Sequence, residues 1–102
     1  MAEETEELWF QAETVRLSGD VLVAMGDRTG AEASYRGAIA IAQQQSAKPW
    51  ELRAAISLAR LWRDDGKRTQ AHSLLAPVYG WFTEGLATPV LQEAKALLEE
   101  LA

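Results

Sequence analysis

The stretch 19-GDVLVAMGDRTGAEASYRGA-38 has its counterpart forty residues later, in 59-ARLWRDDGKRTQAHSLLAPV-78. At that offset Gly19 aligns with Ala59, Leu22 with Trp62, Gly26 with Gly66, Arg28 with Arg68 and Thr29 with Thr69. Ala31, Tyr35 and Ala38 then align with Ala71, Leu75 and Val78. Self-similarity at a period of roughly 20–50 residues is the signature of repeat architectures, whose units bury their apolar faces against one another. Such a pattern describes a scaffold that holds a surface and gives no sign of a catalytic pocket.

Working outward from that match, period-3.6 patterning and breaker residues divide the chain into five helical segments. The first is expected over about 4–25, with Glu3, Glu4, Glu6 and Glu7 where the helix dipole favours negative charge. A turn at 26–30 follows, with Thr29 as expected N-cap, and a second helix to about Ser46 carries Ala31, Tyr35, Ala38, Ile39 and Ala42 on one stripe. Pro49 suits the first turn of a third helix, about 49–65, that presents Leu52, Ala55, Ile56, Leu58, Ala59 and Trp62. Gly66 ends it. A fourth helix, about 69–83, holds Pro77, which cannot donate to the Ser73 carbonyl, and Gly85 closes it. Thr88-Pro89 opens a fifth helix, about 89–101. No stretch of strand alternation competes. The expected fold class is all-α: antiparallel helical hairpins stacked as a short α-solenoid in one domain, 1–102. Repeat 1 spans about 4–46, repeat 2 about 49–84, and the helix at about 89–101 acts as a cap.

Composition narrows the function classes. A chain of 102 residues, 48% hydrophobic and 25% charged, reads as one ordinary globular domain. Its apolar runs fall far short of the ~20 residues a membrane span needs, and the acidic start lacks a secretory signal pattern. With no cysteine there is neither a disulfide framework nor a thiolate metal site, which is compatible with a reducing cytoplasm. The net charge of −5 argues against nucleic-acid binding, which draws on phosphate neutralisation.

The small, loop-glycine, small-aromatic-small series Gly19, Gly26, Ala31, Tyr35, Ala38 resembles a tetratricopeptide repeat (TPR), and so does Ala59, Gly66, Ala71, Leu75, Val78. The period of forty departs from that family's usual 34 and implies longer helices. Three stretches carry a closer likeness: AETVRLSGDVL (12–22), AEASYRGAIAIAQQQSAKPWELRAAISLARLWRDDGKR (31–68) and LLAPVYGWFTEG (74–85). They are similar to the C-terminal end of large bacterial proteins described as class III adenylate/guanylate cyclases or predicted ATPases. The resemblance implies a regulatory repeat region without its enzyme, since the cyclase and ATPase residues have no counterpart here.

Chemistry-bearing motifs are sparse. No Gly-rich phosphate loop occurs, so no nucleotide cofactor is expected. The lone His72 reads as an exposed or half-buried structural residue, since neither cysteine nor a second histidine joins it in a metal site. Ser73 beside it has no orienting acid for nucleophilic catalysis. The acid pairs Glu3-Glu4, Asp64-Asp65 and Glu99-Glu100 diverge around their helices and read as solvated ends. The chain is therefore expected not to be an enzyme.

Charge spacing is more informative. Glu6, Glu13, Asp20 and Asp27 recur every seven residues, as do Arg53, Arg60 and Lys67. At the offset of forty this predicts a ladder of Glu13–Arg53, Asp20–Arg60 and Asp27–Lys67, leaving Arg16 and Arg63 free for a partner. The candidate partner-binding face is therefore Arg16, Arg53, Ile56, Arg60 and Arg63, suited to an acidic peptide. Family members that grip chaperone C-termini use a Lys/Asn carboxylate clamp, and the corresponding Glu13, Asp20, Ile56 and Arg60 do not reproduce it. Trp62 and Trp81 are expected in the core, whereas Trp9 and Phe10 are candidates for self-association into a homodimer.

Overall fold

The computed structural model describes residues 2–82 and 88–102, with side chains described from residue 11 onward. Five helices follow one another: α1 (Ala2–Ala24), α2 (Arg28–Gln44), α3 (Lys48–Asp64), α4 (Arg68–Trp81) and α5 (Pro89–Leu101). No strand occurs among the described residues. The first four helices begin one or two residues earlier than the sequence pattern suggests. For α2, α3 and α4 the cause lies in the turns at 25–27, 45–47 and 65–67, which share one geometry.

In each turn the middle residue takes a left-handed φ: 86° at Gly26, 54° at Ser46 and 81° at Gly66. The following amide reaches back five residues, Asp27 to the Leu22 carbonyl (2.8 Å), Ala47 to Ala42 (2.9 Å) and Lys67 to Trp62 (2.7 Å). This is the Schellman arrangement, which satisfies last-turn carbonyls that would otherwise lack donors. The N-cap of α2 is Asp27, whose Oδ1 accepts from the Gly30 amide at 2.9 Å; the expected cap, Thr29, lies inside the helix. Lys67, at the equivalent place before α4, makes no side-chain cap. The expected end of α4 at Thr83 and Gly85 lies outside the described residues, and the helix runs through an exposed Pro77 to Trp81.

Contacts fix the arrangement. Val15 touches Gly37 and Tyr35 touches Gly19, so α1 and α2 run antiparallel. Glu32 meets Trp62 while Gln43 meets Glu51, so α2 and α3 do too. Between α1 and α3 the contacts Glu13–Arg53 and Arg16–Ser57 run in parallel, at separations of forty and forty-one residues. The sequence period is thus the side-by-side spacing of α1 and α3. Consecutive helices pack together, and α3 also packs against both α1 and α5.

The central α3 is buried along most of its length, from Glu51 to Leu61. Leu52, Ala55, Ile56 and Ala59 join Ala71, Leu75 and Val78 of α4 and Leu91, Ala94, Leu97 and Leu101 of α5 in the largest apolar cluster. Leu58 and Leu61 pack with Ala31 and Tyr35 of α2. Ala12, Ala42 and Ala47 form a third, small-residue contact. Trp62 is half-buried, its Nε1 donating to Glu32 at 2.8 Å beneath the Arg36 guanidinium. Trp81, expected in the core, is 59% exposed, with Lys48 over its ring.

Two arginines at the repeated turns cross between hairpins. Arg28, opening α2, donates to the Leu61 carbonyl (3.1 Å) and to Asp65 (2.6 Å) at the C-terminal end of α3. Forty residues on, Arg68, opening α4, donates to the Glu100 carbonyl at the end of α5. Cationic groups at helix C-termini satisfy carbonyls and oppose the dipole.

Candidate functional site

The alternate helices α1, α3 and α5 bring eight residues around one open groove of about 280 Å³. Arg16 comes from α1, Arg53, Ile56, Ser57 and Arg60 from α3, and Pro89, Val90 and Glu93 from α5. On α3, positions 53, 56, 57 and 60 share one face because residues three and four apart are helix neighbours. Four of the five residues expected at a partner-binding face therefore meet here. The fifth, Arg63, does not line the groove; it is tied to Glu100 at 2.7 Å and Asp64 at 3.1 Å.

Beside the groove, on its α1 side, lies a charged network that shares Arg16, Arg53 and Ser57 with the lining. Arg16 donates to Glu13 through Nη2 (2.5 Å) and Nε (3.1 Å), and through Nη1 to Asp20 and Ser57, both at 3.3 Å. Arg53 reaches the same Glu13 at 3.3 Å. The Tyr35 hydroxyl donates to Asp20 at 2.5 Å. The hydrogen bonds from Arg16, with the charges of Arg16 and Arg53, hold the Glu13 carboxyl below its ordinary range against the opposing effect of burial. Burial, followed by the bond to Asp20, pushes the Tyr35 phenol up. The bond to Glu13 outweighs desolvation and raises Arg16.

The expected ladder forms only at its first rung, Glu13–Arg53. Asp20 is taken by Arg16 and Tyr35, Asp27 by the α2 N-terminus, and Arg60 extends the other way to pair with Glu93 of α5. Arg16 is consequently not free, and neither is Arg63. Sequence reading missed the contribution of α5 because it treated that helix as a cap. A signal was present: Pro89 stands forty residues after Pro49, as a third alternate helix would require. The side chains of Trp9 and Phe10 lie outside the described residues.

The groove joins an apolar wall (Ile56, Val90, Pro89) to paired guanidinium and carboxylate groups. Ser57 donates to the Arg53 carbonyl and accepts from Arg16, so its hydroxyl is engaged on both sides. Among the described residues no three His, Cys, Asp or Glu side chains gather as a metal centre would need. No helix searched there is long and apolar enough to cross a membrane. Comparison with family models, curated proteins and solved structures returns no match.

Proposed function

We propose that this chain is a non-catalytic protein–protein interaction module of TPR type, working in the cytoplasm as a regulatory or scaffolding region related to bacterial cyclase and ATPase proteins. In this reading α1, α3 and α5 are the first helices of successive units and their shared groove receives a peptide. The observation that carries it is the convergence of Arg16, Arg53, Ile56 and Arg60, from two helices, on one groove that α5 completes. Because Arg53 and Arg60 are 45% and 47% exposed, they are the guanidiniums that an incoming carboxylate can reach. Arg16, already bonded to three side chains, acts instead to hold α1 against α3.

The test is an array of acidic, neutral and basic decapeptides probed with the labelled chain. Acidic peptides should be retained, and retention should be lost in the Arg53→Glu, Arg60→Glu double variant while its thermal melt is preserved. Retention that ignores peptide charge, or none at all, overturns the reading. The alternative, a capping or homodimerising element without a separate ligand, rests on Trp9 and Phe10 of the sequence, whose side chains lie outside the described residues.

A further inference from the structure

Alternate helices present charge in a fixed order. At the offset of forty, Glu13, Arg53 and Glu93 fall in register, as do Asp20, Arg60 and Glu100. The basic residues of α3 pair in opposite directions across the groove: Arg53 towards α1, with Glu13, and Arg60 towards α5, with Glu93.

The two pairs are not equivalent. Glu13 is held independently by Arg16 through bonds of 2.5 and 3.1 Å, so it stays neutralised when Arg53 turns to a ligand. Glu93 has Arg60 as its partner and no other ion pair among the described residues. Its helix neighbours supply no second cation, because the residues three and four away on α5 are Pro89, Val90, Ala96 and Leu97. Three guanidiniums line the groove, and Glu93 is the one carboxylate in that lining. In the free chain it already occupies the place beside Arg60 that a ligand's carboxylate would take.

A ligand bearing only acids meets a cost there. It must displace Glu93 and then lie beside the carboxylate it has displaced, where like charges repel. A ligand that brings a cation next to its acid avoids this. Two ion pairs then replace one: the ligand's acid with Arg60, and Glu93 with the ligand's cation. Arg60 and Glu93 are 47% and 40% exposed, so they exchange partners without unpacking the core.

We propose that Glu93 is an internal competitor for Arg60, and that the groove prefers a peptide with a lysine or arginine within two residues of a glutamate or aspartate over one that is acidic throughout. The proposal rests on the peptide-binding reading above and sharpens its ligand to a mixed-charge segment.

Two decapeptides, each with two glutamates in an otherwise uncharged sequence, test it by differing at one position between those glutamates, glutamine in one and lysine in the other. Fluorescence anisotropy at low salt, where exposed pairs are least screened, should give the parent chain a preference of about two- to fivefold for the lysine peptide, the worth of one exposed pair. Glu93→Gln should bind the glutamine peptide more tightly than the parent does and lose the preference, with its melt unchanged. The net charge of −5 also favours lysine without regard to site. Glu100→Gln controls for that, since it makes the same charge change at an acid paired with Arg63 outside the groove, and it should keep the preference. Equal affinity of the parent for both peptides overturns the proposal and leaves the peptide reading standing. So does a lysine preference that survives Glu93→Gln. Failure of parent and variant alike to bind either peptide overturns both.

Discussion

Gly19 shows how one hydrogen atom sets the distance between two helices. A Cβ there would sit 2.5 Å from Tyr35 Cε1, and the ring cannot swing aside because it is buried and its hydroxyl is tied to Asp20. Alanine normally improves a helix by about 1 kcal/mol over glycine. Here the steric conflict wins, and Gly19→Ala should lower stability by about 1–3 kcal/mol in urea titration. Gly37→Ala is the control: its Cβ would meet Val15 at an ordinary 3.6 Å, so it should gain up to about 1 kcal/mol. The sequence made this contact legible, since small residues at Gly19 and Ala59 opposite Tyr35 and Leu75 follow from the repeat itself. It could not show the Tyr35–Asp20 bond. Two acids spaced alike, Asp20 and Asp27, meet different fates only because one lies beside a phenol and the other beside a free amide.

At the scale of elements, the turns repeat more strictly than the residues that fill them. Asp27 and Lys67 have nearly the same backbone, φ −91° ψ 79° against φ −95° ψ 58°, yet only the aspartate caps its helix. Lys67→Asp should therefore give α4 the cap that α2 already has, stabilising the fold by about 0.5–2 kcal/mol, read as a raised urea midpoint. Five helices and their order were legible from breaker residues and apolar stripes. Their first residues were not, because helix starts depend on which side chain, if any, meets an orphan amide, as Asp27 rather than Thr29 does before α2. Trp81 failed as a core residue for a related reason: a stripe of large side chains does not say which of them a neighbouring helix reaches. Exposed pairs such as Arg60–Glu93 should add little; a double-mutant cycle should find about 0.2–1 kcal/mol of coupling between them.

The whole molecule measures 42 × 36 × 19 Å, about two helix diameters thick, with α3 in contact with every other helix. Across that slab two carboxylates are held below the ordinary value of 4.5, Glu32 chiefly by the Trp62 indole bond and Glu13 chiefly by Arg16. A group whose folded pKa is depressed contributes stability above its unfolded pKa and loses it as pH falls through the folded value. The chain should therefore weaken as pH drops below about 4.5, and Glu13→Gln should flatten that acid slope in melts taken across the range. The groove was half legible at this scale. Its arginines could be placed from spacing, but their pairing depends on which acid is nearest in three dimensions, and α5 supplies one of those acids, Glu93.

The turn arginines give the slab a direction. Arg28 holds the end of α3 and Arg68 the end of α5, each serving a helix that comes later in the chain than its own. The interlock is vectorial: a nascent polypeptide leaving the ribosome displays each waiting guanidinium before the helix that will occupy it has been made. In each pair the donor is therefore synthesised before the acceptor it holds.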